Sequence, residues 1–131
     1  MGQTLLVEQI RDGETLARAI AEDGIDVQAA FWMADDETSM PLLHIVSDDV
    51  LRLGPAPTYD AIIRVLRRMD KPFWVRFDEI TLLAPSRLLA QDVLERLSRN
   101  PGPLPLRGGG EYLGGEYVNQ FFIYPSTVLA H

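Results

Sequence analysis

The chain has 131 residues, 47% hydrophobic and 24% charged, with a net charge of −7, which is the balance of one ordinary globular domain spanning 1–131. No apolar run approaches the ~20 residues a membrane-crossing helix needs, and the N-terminal residues lack the basic and long apolar regions of a secretory signal, so the expected location is cytoplasmic. With no cysteine, disulfides, thiolate catalysis and cysteine-bound zinc are excluded.

Residues 13–24, GETLARAIAEDG, predict a helix. Leu16, Ala19 and Ile20 form one apolar stripe, Asp12 stands as a candidate N-cap, and Gly24 sits where a C-terminal glycine belongs. The preceding TLLVEQI fits either a first helical turn or a short strand. Residues 25–33, IDVQAAFWM, alternate: Val27, Ala29, Phe31 and Met33 share one face, and Gln28, Ala30 and Trp32 the other. MPLLHIVSDD, residues 40–49, is a second apolar run. Across the turn residues ADDETS the two predict a hairpin.

After the break LGPAP, residues 58–70 carry Tyr59, Ile62, Ile63, Leu66 and Met69 at helical spacing, with Thr58 as expected N-cap. KPFWVRFDEITLL, residues 71–83, predicts one long strand. A further helix follows, with Pro85 near its start and Asn100-Pro101 as its stop. The Pro/Gly connection PGPLPLRGGG leads to EYVNQFFIYP, whose large apolar groups on both faces predict a strand inside the sheet. The order α-β-β-α-β-α-β-β reads as α+β, with a mostly antiparallel or mixed sheet and helices packed on one face.

RGGGEYLGGEYVNQFFIYP, residues 107–125, invites a nucleotide reading and fails it. Gly109 and Gly114 have the separation of a Walker loop, but Gly115 and Glu116 stand where lysine and a hydroxyl are required. The dinucleotide fingerprint breaks at Leu113, and the next element is a strand rather than a helix. The doubled Gly-Glu-Tyr is too short for a repeat architecture. Glycines that bend a strand into a hairpin explain the stretch, with Tyr112 and Tyr117 as cross-strand or core aromatics.

Candidate chemistry is sparse. His44 lies between Leu43 and Ile45 in a predicted strand, with Asp48 and Asp49 close in sequence and Asp78 farther on. These four are the only candidates for a catalytic group, and no spacing among them marks a triad. His131 is the last residue. The acidic cluster Asp35-Asp36-Glu37 lacks the pattern of a calcium loop, so neither a metal nor a cofactor is expected. Arg76 shares a predicted strand face with Asp78, which explains that pair without function. Arg64, Arg67 and Arg68, followed by Lys71, form one local basic patch; in a chain of net charge −7 it reads as a solvated helix face, and nucleic acid is a disfavoured partner.

Trp32 and Trp74 sit on the wetter faces of their predicted strands, Trp74 beside Arg76. Aromatic residues with arginine are enriched at protein interfaces, so these three are the expected interface residues. Charge is also unevenly spread. Residues 1–51 hold two basic and eleven acidic side chains, 52–107 ten basic and six acidic, and 108–131 two acidic. Such asymmetry steers a charged partner or favours head-to-tail self-association, unless folding interleaves the segments.

VQAAFWMADDETSMPLLHIVSDD, GPAPTYDAIIRVLRR and GGEYVNQFFIYP together resemble a group of small bacterial α+β proteins of unknown function. The resemblance implies a bacterial α+β domain and brings no activity, cofactor or catalytic residue with it. The expectation is a protein-binding or assembly module, with a homodimer among its forms. The alternative is a small hydrolase or metal-dependent enzyme built on His44 and the nearby carboxylates.

Overall fold

A computed structural model describes residues 5–36 and 39–129; Glu37 and His131 lie outside them. Helix α1 (Val7–Glu22) starts earlier than its apolar stripe suggested. Gln9 supplies the first-turn cap, its side-chain oxygen accepting the Leu6 amide at 2.9 Å. Asp12 is therefore inside the helix, not its N-cap. It is buried, and its carboxylate accepts the Trp74 amide at 2.8 Å. Strands β1 (Ala29–Ala34) and β2 (Leu42–Val46) form the expected antiparallel hairpin, with Phe31 opposite His44.

A short helix α2 (Asp49–Arg52) follows, absent from the sequence reading, and then α3 (Pro55–Arg67). The apparent break at Gly54-Pro55 is the start of α3. Proline suits the first helical position, where its missing N–H would have had no intrahelical partner. Thr58 is buried one turn inside, its hydroxyl donating to the carbonyls of Gly54 and Asp49 at 2.8 and 3.1 Å.

The run 71–83 is not one strand. Only β3 (Ile80–Leu83) is extended and paired, and it runs parallel to β2. Before it the backbone amides of Trp74 and Arg76 find carboxylates instead of a strand neighbour: Asp12 takes the first, and Glu79, in a 3-10 turn, takes the second at 2.8 Å.

Helix α4 (Leu88–Arg99) leads to β4 (Leu106–Gly108), β5 (Glu111–Leu113), β6 (Glu116–Val118) and β7 (Gln120–Ile123). The last predicted strand is thus two, bent at Asn119, whose amide donates to the Ala34 carbonyl. Strands β5 and β6 form a separate two-stranded ribbon. The main sheet has the order β3-β2-β1-β7-β4, so β7 lies inside it as expected. All its pairings except β2 with β3 are antiparallel. The α+β class and the mixed, mostly antiparallel sheet stand as read.

Helices on one face do not. One face of the sheet carries Ala30, Trp32, Leu43, Ile45 and Phe122, covered by α1 and α3. The other carries Phe31, Met33, Val46, Phe121 and Ile123, covered by α4 and the β5–β6 ribbon. The reason is visible in β1, where all six residues are buried, including Ala30 and Trp32, which had been given to a wetter face. A strand buried on both sides requires cover on both sides.

The glycine-rich stretch is the hairpin. Leu113 pairs with Glu116 across Gly114 and Gly115, whose φ values are +55° and +85°. Two consecutive positive φ angles define the two-residue turn that matches strand twist, and glycine alone adopts them without cost. The ribbon is tied to α4 by Asp92, which accepts the Gly114 amide at 2.7 Å, and by Arg96, which pairs with Asp92 and Glu111 at 3.0 and 2.9 Å. Tyr112 and Tyr117 meet edge-to-face across its outer surface, exposed rather than in a core.

Candidate functional site

The residues singled out in the sequence do not converge. Asp48 and Asp49 lie past the end of β2, where they fasten a loop. The Asp49 carboxylate is buried, accepts the Asp26 amide at 3.1 Å and pairs with Arg52; the Asp48 amide donates to Asp26 at 2.9 Å. Burial pushes the Asp49 carboxyl up, but the Asp26 amide and Arg52 outweigh it and hold the group below its usual range. The group is thus held as an anion that fastens the loop. Asp78 is exposed and pairs with Arg76 at 3.2 Å, the non-functional explanation offered for it.

His44 stands elsewhere, on the α4 side of the sheet. Its ring stacks on Phe31, centroids 4.8 Å apart and planes 10° from parallel. Nδ1 lies 3.0 Å from the Leu42 carbonyl, so Nδ1 carries the proton and donates it there. The residue is only 6% exposed, yet it lines an open cleft of about 510 Å³. The other polar side chains there include Asp35, Thr81, Arg87 and Glu116; none of Asp48, Asp49 and Asp78 is among them. The enzyme reading built on those carboxylates therefore loses its constellation. No group of three or more metal-ligating side chains occurs among the described residues.

Burial holds the His44 imidazole below its ordinary pKa of 6.5, although the Leu42 carbonyl and the Asp35 charge both raise it. The sign of the consequence is fixed. Below 6.5 the unfolded chain takes up a proton that folded His44 resists. The stability this group contributes is complete above 6.5 and is lost as pH falls through the lower folded value. Melting temperature measured from pH 7 to pH 5 should fall more steeply in the wild type than in His44→Gln. Parallel curves would show that the imidazole stays equally protonated in both states.

Trp32 and Trp74 also separate. Trp32 is wholly buried beneath α1, and its indole N–H donates to the Tyr124 hydroxyl at 2.9 Å. In this fold it cannot meet a partner, so its assignment to an interface is withdrawn. Trp74 is 45% exposed and Phe77 65%, on the segment between α3 and β3. There Ile63, Leu66, Phe73 and Val75 line a groove of about 360 Å³ rimmed by Arg67, Lys71 and Arg76. No family model, curated protein or solved structure matches the chain. Arg68 is turned away to Asp23 at 2.9 Å, which divides the arginines that had been read as one patch.

The sequence missed two things here. Phe77 was placed within one long predicted strand, which the 3-10 turn interrupts. Arg87 and Glu116 come from α4 and the ribbon, and no local spacing links either to His44. Asp35 was visible as part of an acidic turn, but its neighbour across the hairpin was not.

Proposed function

We propose that this chain is a protein-binding module whose contact surface is the groove between α3 and residues 71–77. The observation that carries the reading is an apolar groove lined by exposed Phe77 and the cations Arg67, Lys71 and Arg76, with exposed Trp74 on the same segment as Phe77 beside the groove. Aromatic and arginine side chains are the usual anchors of protein interfaces. The segment is held by the buried carboxylates of Asp12 and Glu79, so little ordering is needed on binding. Its charge calls for a partner segment that places an aromatic or branched apolar side chain beside acidic residues. Asp78 neutralises part of Arg76, leaving Arg67 and Lys71 as the freer cations. No helix among the described residues is long and apolar enough to cross a membrane, and we place this activity in the cytoplasm. A second copy of the acidic N-terminal half is one source of such a segment, which is the homodimer within this proposal.

A peptide-display library panned on the full chain should enrich sequences with acidic residues flanking one large apolar side chain. Trp74→Ala or Phe77→Ala should weaken the enriched peptides by about thirtyfold, the size of a hot-spot truncation, and added salt should weaken them further. Sedimentation of the free protein then separates self-association from a foreign partner. Peptides that bind both variants as well as the wild type would place the contact elsewhere and overturn the proposal.

A further inference from the structure

The cleft beside His44 is not used by the binding groove and has its own chemistry. Among the described residues every side-chain nitrogen or oxygen sealed from solvent has a hydrogen-bond partner. Nδ1 of His44 is taken by the Leu42 carbonyl, and Nε2 has no hydrogen-bond partner among the described residues. Nε2 is therefore the atom that reaches the open space of the cleft, and it reaches it as a lone pair. A ligand there must bring a donor.

The carboxylates point the same way. Asp35 is close enough for its charge to act on the imidazole, and Glu116 lines the same cleft from the ribbon. Three acceptors around one volume suit a group with several N–H donors, and an ammonium has three. The opposite sign comes from Arg87, which sits at the N-terminus of α4 and forms no ion pair among the described residues. The first turn of that helix has no acidic residue, so its positive end is also uncompensated there. Between the charges the surface is apolar: Met33, Leu83 and Leu89 are buried in the floor, while Met40 and Leu42 are 52% and 36% exposed. The volume of about 510 Å³ lies within the range of small-molecule sites, roughly 300–1,000 Å³.

We propose that the His44 cleft binds a small zwitterion of the amino-acid type with an apolar side chain. Its ammonium group lies between His44 Nε2 and the Asp35 carboxylate, in a cleft that Glu116 also lines, its carboxylate on Arg87, and its side chain against Met33, Met40 and Leu42. A metal ion is a poorer fit, because the described residues hold no cluster of three ligating side chains. A plain anion is poorer still, since two carboxylates face it.

The test is a titration of the full chain, followed by long-range proton–nitrogen NMR of the His44 ring. The probes are L-leucine, L-methionine and L-phenylalanine. Isoamylamine serves as leucine without its carboxylate, and isocaproate as leucine without its amine. At least one amino acid should shift the Nε2 resonance saturably below about 10 mM. Isoamylamine should bind about tenfold more weakly than leucine, and isocaproate should not bind, by the usual worth of a charge-assisted contact. Arg87→Ala should bring leucine down to the level of isoamylamine, whereas Asp35→Asn should weaken both. Both positions are exposed, so folding is preserved. No saturable shift with any of the three amino acids, or binding indifferent to both substitutions, overturns the proposal.

Discussion

Trp32→Ala should cost about 3–5 kcal/mol, the range for removing a large aromatic side chain from a packed core. Against a typical total of about 5–15 kcal/mol, that is a large fraction of what holds the fold together. The indole is wholly buried on the central strand, with Leu16, Ile20 and Phe122 in the same cluster. Its N–H donates to Tyr124, whose hydroxyl donates in turn to the Ile10 carbonyl at 2.5 Å. Removing the ring opens a void between α1 and the sheet and leaves that hydroxyl without its donor. Gly13 shows how closely the two elements fit: a Cβ there would come within 2.8 Å of the indole nitrogen. Trp74→Ala, at a half-exposed site, should change stability by under about 1 kcal/mol. Urea titrations of the two variants, followed by far-UV circular dichroism, decide the matter. Equal midpoints would mean that the sheet is not covered as described.

The second large effect belongs to the glycine turn. Gly114→Ala should destabilise by about 3 kcal/mol, adding the cost of a side chain in the left-handed region to that of a steric collision. A Cβ at Gly114 would lie 2.5 Å from the Leu89 nitrogen and 2.7 Å from the Leu88 carbonyl carbon, both backbone atoms that cannot swing aside. At Gly115 the φ is also positive but nothing lies within 4 Å, so Gly115→Ala should cost only about 1 kcal/mol. The difference between neighbouring glycines measures the docking of the ribbon on α4, because turn strain is common to both. Thermal melts suffice. Similar losses for the two variants would mean that the turn stands free of the helix.

Much of this architecture was readable because it rests on local pattern. The β1–β2 hairpin, the stripes of α3 and α4 and the interior position of β7 follow from periodicity. What escaped was non-local. Trp32 looked half-wet because its strand neighbours are alanine and glutamine, and small residues are also what a helix needs for close approach to a sheet. Residues 71–79 looked like a strand because they are aromatic and branched, yet their amides are claimed by carboxylates from α1 and from the 3-10 turn. Of the candidate site, His44 was singled out in the sequence, but its partners were sought among sequence neighbours. Asp48 and Asp49 lie past the far end of its strand, and the groups that share its cleft arrive from α4 and the β5–β6 ribbon.

The placement of β7 has a consequence for how the molecule comes into being. Strand β1 is flanked by β2, made a few residues later, and by β7, made much later; Trp32 and Tyr124 are separated by 92 positions. Until β7 emerges from the ribosome, β1 is an edge with a row of unsatisfied amides and carbonyls and apolar side chains on both faces. Such an edge is a template for pairing with other nascent chains. The closing step joins parts of the chain far apart in sequence and so belongs to the slow class of folding reactions. Shortening the chain before Gln120 should therefore yield insoluble protein rather than a smaller folded domain.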